Sequence, residues 1–246
     1  MKKLVAYVTA GFPSKSFTVD LAMALKESGV DSLELGIPFS DPVADGPVIE
    51  EANLKALQNG FKMDHLFDIS KEIGKEIDTL WMGYFNPFYH KGVDFFTDRA
   101  SEYGVSGFII PDLPHEESSL YTKSIQEKNV SLISFVAPTD SQARIQQVVK
   151  NSQKFIYLVA YAGITGSGTS EDLGQTIAHI RQFTQTPVYV GFGVDEKTAK
   201  DKAKGVDGVI VGSVFVKILL DESISNSEKI KKISTLARVI KDKINS

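Results

Sequence analysis

The chain has 246 residues and a formal net charge of −4, a balance that points to neither nucleic acid nor an anionic membrane as a partner. It contains no cysteine, which excludes disulfides, thiolate nucleophiles and cysteine-bound metals. The first apolar run is interrupted by a glycine and a proline at positions 11 and 13. No apolar stretch has the length of a membrane span, so we expect a cytoplasmic protein.

Eight short apolar runs follow one another along the chain, and each predicts a buried strand. They are rich in valine and isoleucine and nearly continuous in apolar residues, as is typical of a parallel sheet that is covered on both faces. The eight runs are residues 4–9, 32–37, 79–84, 107–111, 130–136, 155–159, 187–191 and 208–212.

Amphipathic segments lie between these runs and predict helices. Single helices are expected at residues 16–28, 94–103, 116–128, 141–150, 171–183 and 195–204. The longer intervals 47–77 and 213–244 are each expected to hold two helices.

Eightfold alternation of strand and helix over about 250 residues predicts a TIM barrel, that is, a single (β/α)8 domain. We assign residues 1–246 to this one domain, because no linker or low-complexity tract divides them. A doubly wound open sheet is the alternative. It usually carries a glycine-rich fingerprint after its first strand, and the segment Thr9 to Pro13 lacks that spacing.

Three carboxylates cluster around the second predicted strand. Glu34 lies within its apolar run, and Asp41 and Asp45 follow on a loop rich in proline and glycine. A buried carboxylate is costly unless it is paired or used, so this arrangement indicates either a structural ion pair or proton transfer. The active site of a barrel lies at the C-terminal ends of its strands, where Asp112 and Tyr157 are also expected.

Glycine-rich loops follow the last three predicted strands. They contain Gly166 after the sixth run, Gly191 and Gly193 after the seventh, and Gly212 with Ser213 after the eighth. Any one glycine is usually a turn residue. Three such loops in consecutive units favour a phosphate site, because backbone N–H groups and a helix N-terminus can approach an anion there.

The remaining candidates are less specific. The four histidines are scattered without metal-ligand spacing, so no metal site is expected. The aromatic run from Tyr84 to Tyr89 is consistent with a pocket for a ring, with cover of the barrel rim or with a subunit contact.

Several motifs resemble the tryptophan synthase alpha chain family over nearly the whole sequence. The most specific is the acidic segment ELGIPFSDPVADGP at residues 34–47. Others are YVTAGFP at 7–13, MGYFNP at 82–87, PDLP at 111–114, GITG at 163–166, GFGV at 191–194 and VGS at 211–213. The glycine motifs alone would fit many phosphate-binding barrels.

The resemblance implies a lyase that cleaves indole-3-glycerol phosphate to indole and glyceraldehyde 3-phosphate by a retro-aldol reaction. It implies that Glu34 is the general acid and base, that Asp45 stabilises the positive charge on the ring nitrogen, and that Tyr157 orients the acid or the substrate. It also implies a set of binding residues. Phosphate ligands would be Gly166, Gly193, Gly212 and Ser213, and the indole pocket would include Tyr7 and Tyr84.

The resemblance further implies a partner, a pyridoxal-phosphate beta chain, in an α2β2 heterotetramer. The loops with Asp41, Pro42 and Pro114 match the family's contact surface and mobile lids. No cofactor is expected in this chain itself.

The sequence departs from the family in two places. It lacks the usual short helix before strand 1, and residues 160–162 replace a version with a basic residue. Two other functions stay open: a non-catalytic subunit that only activates a beta chain, and another phosphate-binding barrel enzyme. Both Glu34 and Asp45 are present, which argues against the first. Cysteine is absent, and Lys2 and Lys3 at the start of strand 1 are poor candidates for a catalytic lysine, which argues against the second.

Overall fold

The structure, a computed structural model, describes residues 1–159 and 170–246. In this part of the chain the strands form one parallel sheet in the order β5-β4-β3-β2-β1-β9-β8-β7-β6. The strands are β1 (Lys3–Thr9), β2 (Ser32–Gly36), β3 (Asp78–Met82), β4 (Val105–Ile109), β5 (Ser131–Leu132), β6 (Ser134–Val136), β7 (Ile156–Val159), β8 (Val188–Gly191) and β9 (Gly208–Val211).

The short strands β5 and β6 are the two halves of one predicted strand, interrupted at Ile133. β5 pairs with β4, whereas β6 pairs with β7. The Ile133 N–H donates to the Phe108 carbonyl at 2.9 Å. Because this one run joins both ends of the sheet, the strands form a nearly closed barrel, and the predicted (β/α)8 fold is confirmed.

Helices connect the strands and cover the barrel. The helices are α1 (Lys15–Glu27), α2 (Pro47–Gln58), α3 (Met63–Ile73), α4 (Phe85–Lys91), α5 (Val93–Tyr103), α6 (His115–Glu127), α7 (Gln142–Val149), α8 (Ser170–Phe183), α9 (Ala199–Lys202), α10 (Ser213–Leu219) and α11 (Asn226–Ile244). The two longer intervals each hold two helices, as predicted. None of the helices in the described ranges is both long and apolar enough to cross a lipid bilayer.

The aromatic run after β3 folds into α4, a helix that the sequence analysis did not predict. Tyr84 precedes it and is buried, while Phe88 packs on Phe96 and Phe108 with ring centroids 4.5 and 5.2 Å apart. Tyr89 is 68% exposed. The run therefore divides between the barrel mouth, the core and the surface.

Polar side chains close the end of the barrel at which the strands begin. The Asp78 carboxylate accepts hydrogen bonds from Ser32 at 2.6 Å, from Ser106, and from the Lys154 ammonium at 2.8 Å. These residues come from β2, β3, β4 and the segment before β7. The cluster therefore ties together strands that are far apart in sequence.

The two ends of the chain meet at the same side of the barrel. The Lys2 N–H donates to Asn245 Oδ1 at 2.7 Å, and the Lys241 ammonium donates to the Lys2 carbonyl at 2.9 Å. Because Lys2 directly precedes β1, this contact lies where the strands begin.

Candidate active site

Glu34 occupies the middle of β2 and is 3% exposed. It pairs in register with Tyr7 of β1, and it shares a face of its strand with Gly36, since side chains alternate along a strand. A Cβ atom on Gly36 would lie only 2.2 Å from the Tyr7 hydroxyl oxygen. Glu34, Tyr7 and Gly36 therefore line the same part of the barrel.

The environment of Glu34 favours its protonated form. Its Oε2 atom is buried and has no hydrogen-bond partner among the described residues. Burial, with the nearby Asp45 charge as a second cause, raises the pKa of Glu34 to about 8. A carboxyl group with such a pKa holds its proton at neutral pH and can act as a general acid.

Asp45 lies at the end of the loop that follows β2. Its N–H donates to the Pro42 carbonyl at 2.9 Å, and α2 begins two residues later with Pro47 in its first turn, a position that proline favours. Burial raises the pKa of Asp45 to about 6, although hydrogen bonds from Tyr84 and Asn53 oppose that shift. Asp45 is therefore ionised at neutral pH where Glu34 is not.

Aromatic rings surround the two acids. Tyr84 stacks on Phe39 with ring centroids 5.2 Å apart, and its hydroxyl oxygen accepts the Ala44 N–H at 2.9 Å. Tyr157, on β7, stacks on Phe135 at 4.9 Å. The charges of Glu34 and Asp45 add to the effect of burial in raising the pKa of Tyr157, so this phenol belongs to the same site.

The described glycine loops lie at the end of the barrel where the strands finish. Gly193 follows β8 with a φ angle of +67°, a conformation that glycine adopts without strain. Gly212 directly precedes α10, and Ser213 is the first residue of that helix. A Cβ atom on Gly212 would lie 3.3 Å from the Tyr7 Cβ, so this glycine borders Tyr7. Gly166 lies outside the described residues, as do residues 160–162.

The residues expected at a partner surface lie on the rim of the same end. Asp41 and Pro114 are exposed and Pro42 is half-buried. Asp112 is also exposed, and its carboxylate accepts the Phe85 N–H at 2.8 Å. Asp112 thus accepts a hydrogen bond from the first turn of α4 and lies near enough to Tyr84 for its charge to help raise the pKa of that phenol.

Asn53 on α2 is a further polar residue of this site, and it was not predicted from the sequence. It is 2% exposed, and its side-chain amide donates to Asp45 Oδ2 at 3.3 Å. A signal was available in the sequence, because Asn53 lies on the same helix face as Ala52 and Ala56, which are buried. A polar residue among the apolar positions of a helix indicates a buried hydrogen bond.

Comparisons with known proteins identify the family. A protein-family model described as tryptophan synthase alpha chain matches residues 1–245. The tryptophan synthase alpha chain of Wolinella succinogenes is 56% identical over 247 residues, which cover 100% of this chain and 97% of that one.

Solved structures agree. The tryptophan synthase alpha subunit of Campylobacter jejuni has a TM-score of 0.86 and 33% identity, and the match covers 96% of this chain and 95% of that one. A tryptophan synthase structure from Pyrococcus furiosus has a TM-score of 0.86 and 32% identity over 98% of this chain and 100% of its own. The chain therefore belongs to the tryptophan synthase alpha chain family.

Proposed function

We propose that Glu34 and Asp45 carry out the reaction of this lyase, the cleavage of indole-3-glycerol phosphate to indole and glyceraldehyde 3-phosphate. One observation carries the assignment. The buried Glu34 carboxyl has a raised pKa and an oxygen for which the described residues supply no partner, and the Asp45 carboxylate lies close enough to contribute to that shift. Two acids with separated pKa values are what a proton donor and a charge stabiliser require.

The reaction needs one proton to arrive and one to leave. Glu34 donates its proton to the ring carbon that carries the glycerol chain, and positive charge develops on the ring nitrogen. The Asp45 carboxylate accepts the ring N–H and stabilises that charge. Glu34, now ionised, removes the proton of the adjacent side-chain hydroxyl. The bond between the two carbons breaks, its electrons restore the indole ring, and the hydroxyl carbon becomes the aldehyde.

The other site residues are proposed as binding groups. Tyr7 and Tyr84 would flank the indole ring, and Tyr157 would orient the Glu34 carboxyl or the substrate. Backbone N–H groups near the glycine loops would bind the phosphate, through Gly166, Gly193, Gly212 and Ser213. These residues come from β1 through the start of α10. We therefore propose that residues 1–246 form one functional domain.

We propose that a tryptophan synthase beta chain is the partner, as in the α2β2 complex from Pyrococcus furiosus. Asp41, Pro42 and Pro114 would contact it, because they lie on the rim through which indole would leave. Pyridoxal phosphate would be bound by that partner and no cofactor by this chain. The proposed compartment is the cytoplasm, where a charged phosphorylated substrate is retained.

Indole release from indole-3-glycerol phosphate tests this function, with and without a beta chain. We expect Glu34→Gln to abolish release and Asp45→Asn to reduce it by at least about 100-fold, since each removes a group that acts in the transition state. Glu27→Gln, at an exposed position on α1, is the matched control and should keep full activity.

The outcomes separate the alternatives. Release that the beta chain increases would support both the lyase and the partner. A chain that binds and activates the beta chain but releases no indole would be the non-catalytic subunit. Unchanged release by Glu34→Gln would remove Glu34 from its proposed role.

A further inference from the structure

Asn53 is a buried polar residue without a role in the proposed reaction. It lies one turn and a half into α2 and is 2% exposed. The helix places it beside the loop that ends at Asp45. A buried amide in a helix needs a reason, because leucine would fill a similar space without burying a polar group.

The Asn53 amide makes one hydrogen bond and lacks another. Its Nδ2 donates to Asp45 Oδ2 at 3.3 Å, while its Oδ1 is buried and has no partner among the described residues. The opposite orientation of the amide would place Oδ1 against the carboxylate, which is repulsive. The contact with Asp45 therefore fixes the orientation, and the unpartnered oxygen is its consequence.

The other described groups that face Asp45 are acids and phenols. Glu34 faces it from β2 and Glu50 from α2, and Tyr84 follows β3. Tyr7 and Tyr157 face it from β1 and β7. Ionised acids disfavour the Asp45 carboxylate, so hydrogen-bond donors have to stabilise its charge.

We propose that Asn53 is a positioning residue of the active site, which keeps the Asp45 carboxylate ionised and directed toward the ring nitrogen of the substrate. The inference rests on the proposed role of Asp45. Among the described residues, two donors hold that carboxylate, Tyr84 and Asn53. Tyr84 also accepts the Ala44 N–H and lines the mouth, whereas Asn53 is remote from bulk water and contributes only its amide.

Asn53→Leu tests this role, because leucine has a similar size. The change removes the unpartnered buried oxygen, which favours the folded state. It also removes a donor from Asp45, which disfavours the folded state at neutral pH to a similar extent, so net stability should change little. The titration midpoint of Asp45 should rise by about one pH unit, and the acidic limb of kcat/KM should move with it.

Two further variants sharpen the test. Asn53→Asp has the same shape but places a second acid beside Asp45, so the midpoint should rise further than in Asn53→Leu. Asn59→Leu makes the same substitution at the exposed C-terminal end of α2 and should change neither quantity. Asn53→Asp decides the question if Asn53→Leu does not fold.

The measurement is a carbon-13 NMR titration of the Asp45 side chain in each variant, alongside the pH profile of indole release. A midpoint that stays at its wild-type value in the folded Asn53 variants would overturn the inference, as would lost activity without a shifted acidic limb. The NMR titration needs no turnover. If the wild type released no indole, the proposed function would fail while the hold of Asn53 on Asp45 could still be judged.

Discussion

The Glu34 side chain loses its water on folding, and Oε2 gains no hydrogen bond from the described part of the chain in return. Glu34 can be buried because its carboxyl group stays protonated, as its raised pKa of about 8 indicates. The same burial that disfavours the carboxylate prepares a proton donor beside the mouth of the barrel. Burial of Glu34 therefore lowers the free energy of unfolding and at the same time provides a proton donor.

Glu34→Gln should stabilise the fold, and more so as the pH rises. An unfolded glutamate loses its proton near its ordinary pKa of 4.5, whereas folded Glu34 keeps it up to about 8. Between these values the folded state binds the extra proton, so wild-type stability falls as pH rises. Glutamine removes this linkage. We expect urea unfolding at pH 8 to give a gain of roughly 2–4 kcal/mol, and little gain at pH 5.

The control for that prediction is Glu27→Gln, whose side chain is exposed on α1. Its unfolding free energy should stay within about 0.5 kcal/mol of wild type at both pH values. A stability difference between wild type and Glu34→Gln that does not change with pH would contradict the buried, protonated state of Glu34.

Some residues of the site could be predicted from the sequence and others could not. Glu34 and Asp45 were found because an acid in an apolar strand, followed by acids on a turn-rich loop, is a local pattern. Their separate roles came from the family resemblance, and those roles stay predictions. Asn53 was missed because its importance depends on a contact with Asp45 across a helix start, and that distance is not a property of either residue alone.

At the scale of elements, glycines at strand ends make room for tyrosines on the neighbouring strands. The Tyr7 hydroxyl lies over Gly36 at the end of β2, and the Tyr157 hydroxyl lies over Gly191 at the end of β8. Cβ atoms there would approach the hydroxyl oxygens to 2.2 and 2.3 Å. The glycines at these two strand ends thus leave the space that both phenols occupy inside the barrel mouth.

Gly191→Ala should impair catalysis by displacing Tyr157. The added methyl group overlaps the phenol, which is confined by its stack on Phe135, so the ring has to move. We expect a loss of about 1–3 kcal/mol in stability from overpacking. A displacement of about 1 Å near the reacting groups should lower kcat/KM by roughly 100-fold. Steady-state kinetics and urea unfolding measure the two effects.

Gly174→Ala is the matched control, because a Cβ atom on this helical glycine meets no atom of the described residues within 4 Å. It should gain about 0.5–1 kcal/mol of stability, since alanine favours helix more than glycine does. Full activity in Gly191→Ala would show that Tyr157 tolerates displacement and has no orienting role.

Most elements could be predicted, because their apolar periodicity is local. The exceptions have identifiable causes. α4 was missed because its aromatic run lacks a helical period and contains Pro87, which is tolerated only because it lies in the first turn. The break at Ile133 could not be predicted, since the run from Val130 to Val136 contains only two polar residues, both serines, and its division arises from pairing with two different neighbours.

At the scale of the whole molecule, the two ends of the barrel have different tasks. One end contains the Glu34 carboxyl and the glycine loops, and the other end is stabilised by the hydrogen bonds of the Asp78 cluster. Burial would raise the pKa of Asp78, but hydrogen bonds from Lys154, Ser106 and Ser32 outweigh it and hold that pKa below its usual value. The cluster therefore stabilises the fold at neutral pH, and this contribution is lost as the pH falls and Asp78 becomes protonated.

Asp78→Ala should lower stability and leave the chemistry intact. The change leaves the half-buried Lys154 ammonium and two serine hydroxyls without their acceptor. We therefore expect the free energy of unfolding in urea to fall by about 2–3 kcal/mol. The kcat of the folded fraction should be unchanged, because Asp78 lies at the end of the barrel opposite Glu34. Asp98→Ala breaks an exposed pair with Lys128 and should cost less than about 1 kcal/mol. Equal losses in both variants would contradict a fastening role for Asp78.

The meeting of Lys2 and Asn245 where the strands begin bears on how the molecule can be handled. A fused protein, an affinity tag or a tether to a solid support leaves the molecule from that side, whichever end carries it. The opening above Glu34 faces the other way. An immobilised chain can therefore keep its mouth accessible both to dissolved substrate and to an incoming subunit.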